Sequence, residues 1–315
     1  MKSIIKLCLA TSVMAYAVAP SLAEDFSFTV VAGHPPITVA GIRDFFIPEV
    51  NRRLAEKGEH TIKWTEAYAG AVADVKGVLE AVESGVAEFG YVPHLFEGDK
   101  LPLEQITYVT PFGTDDLQKL MKIIVQLHDE IPEMNEGWSK ANQKLLAPVG
   151  IDTYQFMTAF EVKDIADLEG KKIGAGGLAL NWLKGTGLYD GIMTFESAIA
   201  PYKFYEVAPY ITKINFGAKY SSALTVNLDT WNSLPEDVQQ IMETVADEYR
   251  DRTAKAYYDA GVASIAKAVE NGASVLDLSA EQRSAYAAKL PPIATEWAAK
   301  LDAQGLPGTK TLETY

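Results

Sequence analysis

The sequence predicts an α/β chain of two lobes, each a mixed sheet flanked by helices, followed by a long C-terminal helix. Three observations carry that reading. Short apolar runs alternate with amphipathic stretches of helical period between residues 26 and 93. The alternation restarts at residue 171, after an extended stretch over 145–158 that is long enough to cross from one lobe to another. Residues 235–270 then keep one helical pattern, interrupted at most by Gly261.

Residues 1–23 read as a secretory signal peptide. Lys2 and Lys6 make a basic start, Leu7 to Val18 is uncharged and mostly apolar, and Ser21-Leu22-Ala23 is a small-x-small cleavage site. That apolar run is shorter than the roughly 20 residues a membrane-spanning helix needs, so the chain is expected to be exported and periplasmic, without direct membrane insertion. The single cysteine, Cys8, lies inside the signal. Disulfides, a thiolate nucleophile and a Cys-based metal site are therefore excluded from the mature protein. Against 42 Asp and Glu there are 28 Lys and Arg, for a net charge of −14, and losing Lys2 and Lys6 deepens it by two. So acidic a surface repels nucleic acid and anionic lipid, and neither is expected as a partner.

In order, 26–33 (FSFTVVAG) reads as a strand broken by His34-Pro35-Pro36. Ile42 to Lys57 is an amphipathic helix ended by Gly58, His60 to Ala67 a strand, Asp74 to Ser84 a helix, and Glu88 to Pro93 a third strand. Short connections between these elements imply parallel pairing. Asp115 to Ile131 and Met134 to Lys144 read as helices. A first lobe over 24–150 follows. The second, 151–228, takes strands at 171–175, 191–195, 210–216 and 222–227 and a helix at 178–184. Residues 229–315 hold the long helix, a short strand at 274–278 and further helices, packing across both lobes. Two α/β lobes joined by extended crossings make a hinge, and the cleft between such lobes holds small ligands.

Candidate contacts come from strand ends, where α/β sheets present ligand groups. Glu66 ends the second strand and is as readily a solvated carboxylate as a hydrogen-bond acceptor for solute. Tyr68, Tyr91, Tyr154, Trp182 and Phe195, at strand ends, in the crossing stretch or in the helix after the Gly-rich turn, would wall a cleft with aromatic surface, although each alone is more often core. Gly174 and Gly176 belong to a Gly-rich turn that lets backbone approach a ligand. Thr194 and Glu196 close the strand beyond it, and Glu196 is equally suited to capping the next helix. His34 and His94 follow the first and third strands, but four histidines without His-x-x-x-His spacing argue against metal. No cofactor is expected either. The chain lacks a Gly-x-Ser-x-Gly elbow, a Walker-type loop and a dinucleotide fingerprint, so no catalytic residue is assigned. A glycosidase-like pair of Glu66 and Glu196 is the enzyme alternative, and a ligand sensor for a membrane receptor is another.

Several blocks, in their order and spacing, resemble one known family. They are Leu79-Glu80-Ala81-Val82-Glu83-Ser84-Gly85-Val86-Ala87-Glu88-Phe89-Gly90-Tyr91, Asp167-Leu168-Glu169-Gly170-Lys171-Lys172-Ile173, Tyr189-Asp190-Gly191, Lys203-Phe204-Tyr205-Glu206-Val207, and Asn227 to Leu234. Together they are similar to the substrate-binding proteins of tripartite ATP-independent periplasmic (TRAP) transporters, across essentially the whole mature chain. The resemblance implies two α/β domains that close on a small solute, usually an organic acid, and deliver it to TRAP permease subunits without chemistry on it.

Two departures from the family follow. Its ligand-clamping Arg corresponds here to Gly174, a position often Asn in it is Thr194, and no Arg occurs between Arg53 and Arg250. A bidentate carboxylate clamp from a central segment is thereby lost, leaving Lys172 or Lys184 as point donors. A strand-plus-helix unit of roughly 20 residues is also missing near 187–188, between Gly185-Thr186-Gly187 and Leu188. This deletion is expected to weaken the second domain, and a melting curve as high and cooperative as a full-length relative's would contradict that.

Overall fold

The computed structural model describes residues 24–58, 60–175 and 190–315. The signal peptide, the helix expected over 178–184 and the 187–188 junction lie outside them, as do the candidates Gly176 and Trp182.

The first sheet begins with β1 (Glu24–Val31), paired in parallel along its whole length with β2 (His60–Ala67). On its other side β1 pairs in parallel with β3 (Phe89–Val92). The crossovers carry α1 (Ile47–Lys57) and α2 (Val78–Glu83). Helix α3 (Ile106–Val109), α4 (Leu117–Glu130) and α5 (Pro132–Lys140) then lead to β4 (Gln143–Ile151). The second sheet is built from β5 (Tyr154–Thr158), β6 (Ile173–Gly174), β7 (Gly191–Phe195) and β8 (Tyr210–Lys213). The chain returns to the first sheet in β9 (Lys219–Asn227), runs through α6 (Leu228–Ser233) and the 35-residue α7 (Glu236–Glu270), and rejoins the second sheet as β10 (Ser274–Asp277). Helices α8 (Ala280–Ala287), α9 (Ile293–Asp302) and α10 (Gly308–Thr314) finish the chain. The strand orders are β2-β1-β3-β9-β4 and β10-β8-β5-β7-β6.

Both sheets are mixed, as expected, but the sequence reading misplaces one strand. Residues 222–227, assigned to the second lobe, belong to β9, which runs antiparallel between β3 and β4 in the first sheet. All nine β9 residues are buried, so the strand has no polar face to reveal its sheet. Two local differences also appear. The helix expected to reach Lys144 stops at Lys140, because Gln143 and Lys144 already pair with β9. The first turn of the helix at 42–57 is a π-turn over Ile42–Phe46.

Helix α7 serves both lobes. Val238, Met242, Val245 and Tyr249 pack with Phe46 and Val50 against Val30, Tyr91, Val149 and Leu224 of the first sheet. Near its other end, Ala268 packs with Ile199 against Met157 and Ile211 of the second. The opposite face of the second sheet buries Phe156 and Met193 with Tyr286 of α8.

Strand directions fix where a cleft lies. Because β9 is antiparallel to both β3 and β4, strands β1 to β4 all run the same way. β4 ends at Ile151 and passes through Asp152-Thr153 into β5. β7 and β8 are antiparallel to β5 and so end beside its start, as do β6, parallel to β7, and β10, parallel to β8. The carboxyl ends of strands from both sheets therefore meet at the crossings, where an α/β fold presents its ligand groups.

Candidate functional site

On the first lobe, the chain leaves β1 through Gly33, and a Cβ there would collide with the backbone of Asp74 and Val75, so the two loops touch at main-chain distance. His34 follows, its ring edge-on to Tyr91 at 5.4 Å between centroids. Burial holds its imidazole below the ordinary histidine range, so His34 is neutral at pH 7. Tyr91 is buried, and its hydroxyl is shared with Ser222 and with Tyr257 of α7. Tyr257 in turn donates to the Thr38 carbonyl at 3.3 Å. At the end of β2, Glu66 is exposed and Tyr68 half-buried beside it. Burial, then the Glu66 carboxylate, push the Tyr68 hydroxyl above the ordinary tyrosine range. This wall is thus neutral imidazole and phenol, with one carboxylate at its edge.

A cation missed by the sequence reading stands at the same edge. Arg43, on the π-turn, pairs with its neighbour Asp44 at 2.6 Å and feels the charges of Glu66 and Tyr68. Arg43 lies upstream of the arginine-free stretch between Arg53 and Arg250. π-Turns recur at functional sites, and this one turns a charged side chain beside a strand end.

On the second lobe, Tyr154 and Phe195 are partners across β5 and β7, with ring centroids 5.7 Å apart. The Tyr154 hydroxyl meets that of Tyr108, and burial pushes it up to about 12. Thr194 is the partner of Gln155, and successive strand residues point to opposite faces. Thr194 and Phe195 therefore do not share a wall: Phe195 goes with Tyr154, and Thr194 with the α7 side. Gly174 ends the edge strand β6, and among the described residues a Cβ there would meet only the Gly191 carbonyl oxygen, at 3.9 Å. The described neighbours therefore leave room for a larger side chain.

Glu196 is buried under α7, where its Oε1 accepts from Gln155 Nε2 at 2.8 Å and lies 3.9 Å from Lys213 Nζ. Burial, only partly offset by Gln155 and Lys213, raises its carboxyl above the usual range. Gln155 also donates to Asn215 Oδ1 at 2.6 Å and accepts from the Asn215 N–H at 2.9 Å, tying the two crossings together. Beyond Asn215 a groove of about 380 Å³ opens between Phe112, Gly113, Asp115 and α8 residues Arg283 and Ser284.

The turn after Phe195 is capped by Asp152 rather than by Glu196. Ser197 donates its N–H to Asp152 Oδ2 at 2.7 Å and its hydroxyl to Oδ1 at 2.6 Å. The signal was available in Val149-Gly150-Ile151-Asp152, a charge set in an apolar crossing. Lys219, opposite Ile151, is likewise fully buried, donates to the Phe216 carbonyl at 2.8 Å, and is lowered by burial to about 7. His94, which follows the third strand as His34 follows the first, lies inside the first lobe, its ring 4.0 Å from that of Tyr220.

Among the described residues no helix is long and apolar enough to cross a membrane, and no His, Cys, Asp and Glu group is placed to hold a metal ion.

Residues 183–301 match the family model of bacterial extracellular solute-binding protein, family 7, called DctP. The ectoine-binding periplasmic protein TeaA of Halomonas elongata is 23% identical over 299 residues, covering 84% of this chain and 83% of TeaA. A TRAP periplasmic solute-binding protein from Desulfovibrio salexigens superposes with a TM-score of 0.81 at 20% identity, over 92% of this chain and 94% of that one. DctP6, a Bordetella pertussis extracytoplasmic solute receptor solved binding pyroglutamic acid, gives 0.79 at 16% identity, over 92% and 99%. The two-sheet fold described above is the fold of these receptors.

Proposed function

We propose, taking the chain as a member of the DctP family of extracellular solute-binding proteins, that it captures a small organic solute between its lobes outside the cytoplasm and hands it to a TRAP permease. The observation that carries this reading is the meeting of strand carboxyl ends from two sheets across two chain crossings. Such a geometry buries a small molecule when the lobes approach, and differential affinity for the closed form shifts the open–closed balance. Delivery, not conversion, is the outcome, and the solute returns unchanged after incubation.

The proposed contacts are His34, Glu66, Tyr68 and Tyr91 on the first lobe, with Tyr154, Gly174 and Phe195 on the second. Their chemistry favours a compact solute with hydrogen-bonding groups and some apolar surface, because neutral phenols offer both. Two carboxylates would face Glu66, while the nearby Arg43 is already paired with Asp44 and no arginine occurs between Arg53 and Arg250 to hold them. A neutral, zwitterionic or cationic solute, or a monoacid, is therefore expected over a dicarboxylate.

A thermal-shift screen tests this. Ectoine, pyroglutamate and galacturonate set the favoured classes, and succinate and malate the disfavoured one. A ligand at 100 times its Kd stabilises by about 2.7 kcal/mol, which moves the Tm by several degrees. A large shift with succinate or malate overturns the charge assignment. Chemical conversion of any binding compound overturns the reading as a receptor.

A further inference from the structure

Three segments converge on one carboxylate where the lobes join. Asp152, only 3% exposed, occupies the crossing between β4 and β5. Both its oxygens accept from Ser197, in the turn Glu196–Ala198 that directly follows the proposed contact Phe195. From the third side α7 presents Gly261, whose missing Cβ would overlap Asp152 Oδ2 and lie 3.3 Å from Glu196 Cβ. Glycine in the middle of a 35-residue helix weakens it, and here it makes room for a carboxylate to reach the helix surface.

We propose that Asp152 is the positioning residue of the interlobe hinge, and that its charge decides how firmly the Glu196–Ala198 turn is locked to the β4–β5 crossing and to α7.

A neutral Asp152 satisfies the lock, donating from one oxygen to the Ser197 hydroxyl while the other accepts the Ser197 N–H. The ionised form keeps both contacts but adds a charge in a buried place beside a second carboxylate. Glu196 faces it from the turn, and the neutral phenols of Tyr154 and Tyr257 face it from β5 and α7. Two lysines stand near the crossing: Lys213 at the end of β8 serves Glu196 at 3.9 Å and Asp277 at 3.9 Å, and Lys219, the register partner of Ile151, donates to the Phe216 carbonyl at 2.8 Å. Asp115 and Asp277 add to the negative field at Glu196. Burial accordingly pushes the Asp152 carboxyl up to about 7, which puts both charge states within the neutral range. Ionisation is relieved by admitting water, which means opening the contact between turn, crossing and helix. Above neutral pH the lock loosens, and below it the lock tightens.

The consequence rests on the solute-capture reading, but the lock itself is testable without a solute. Amide hydrogen exchange of segments 151–156 and 192–201 is measured at pH 6 and pH 8, corrected for the intrinsic rise of exchange with pH. In the wild type, protection of these segments is expected to fall about tenfold over that range, while the β9 segment 219–227 keeps its protection. Asp152→Asn preserves both hydrogen bonds without the titration, so its protection is expected to be the same at both pH values. Ser197→Ala leaves the carboxylate and is expected to keep the pH response at lower protection throughout. Should Asp152→Asn not fold, the response of Ser197→Ala and of the wild type still decides the matter. Equal pH dependence in wild type and Asp152→Asn overturns the proposal, as does a loss of protection shared by 219–227. Titration of ectoine and pyroglutamate at both pH values adds the functional arm. Tighter binding at pH 6 that is lost in Asp152→Asn extends the lock to capture, and pH-independent binding by the wild type overturns that extension. If neither compound binds at either pH while the exchange response is present, the choice of solute fails and the lock stands.

Discussion

The two lobes share a fold plan but are held together differently. In the first, all four residues of β3 and all nine of β9 are buried, and helices cover both faces of the sheet. In the second, the edge strand β6 has two residues, the other edge strand β10 is largely exposed, and Val207 nearby is 74% exposed. The first lobe therefore holds its wall of phenols by apolar burial. The second relies at the hinge on polar contacts, Asp152 with Ser197 and Gln155 with Glu196 and Asn215, which cost more to leave unmade than they contribute when made. The lesson is that, among the described residues, the lobe with exposed edge strands has its positioning groups concentrated at the crossing.

The largest effect expected from this contrast lies in the first lobe. Glu104 and His128 form a buried pair at 3.3 Å, and Trp138 Nε1 donates to the other Glu104 oxygen at 3.0 Å. Burial opposes both charges, yet the His128 imidazolium holds the Glu104 carboxyl below its usual range and Glu104 holds His128 above its own. Replacing one partner, as in Glu104→Ala, leaves a buried charge unpaired and is expected to cost about 3–5 kcal/mol in urea unfolding. The signs differ with each group. The His128 contribution is complete below its unfolded pKa and fades as pH rises through its higher folded value. That of Glu104 is complete above its unfolded pKa and fades as pH falls through its lower folded value. Asp152, raised, contributes stability at low pH that is lost as pH climbs towards about 7. A wild-type stability profile that is flat from pH 4 to pH 8 would break the contrast.

At the hinge the expected effect is intermediate. Gly261→Ala drives a methyl into Asp152 Oδ2 from a helix that cannot easily retreat, since α7 is packed on both lobes. Overpacking of this kind costs about 1–3 kcal/mol, more than the helical preference of alanine over glycine returns. A Tm raised by this substitution, measured calorimetrically, would mean that the hinge is loose enough to absorb the methyl.

How much of this was visible beforehand differs between fold and site. The crossing at 145–158, the helix at 235–270 and the first parallel unit follow from periodicity and glycine punctuation, and the structure has them within a few residues. The sheet membership of β9 was hidden, because a fully buried strand reads the same wherever it sits. Of the proposed contacts, Glu66, Tyr68, Tyr91 and Phe195 were read at or beside strand ends and Tyr154 in the crossing, positions that can be read from the sequence, and the structure has them there. Asp152, Gln155 and Asn215 were not, because their roles come from contacts 45 to 60 residues apart in the chain. Arg43 escaped for a different reason: its place depends on a π-turn, which no periodicity announces.

The smallest stability effect is expected at the edge of the first lobe, which makes it the sharpest probe of function. Glu66 is exposed, so Glu66→Gln should change the Tm by no more than about 0.5 kcal/mol equivalent. Its carboxylate nevertheless lies beside Tyr68 at the carboxyl end of β2, with Arg43 in electrostatic reach, so the substitution alters the charge at that edge of the proposed site. For a cationic or zwitterionic solute from the screen, affinity should fall by a factor of about 10, one charge-assisted hydrogen bond's worth. A monoacid should bind the same or better, because a repulsive carboxylate has been removed. Phe195→Ala on the opposite wall should weaken both classes alike, since it takes away apolar surface and no charge. If Glu66→Gln leaves every ligand's affinity unchanged, Glu66 is a solvated strand-end carboxylate and charge selection rests with the second lobe.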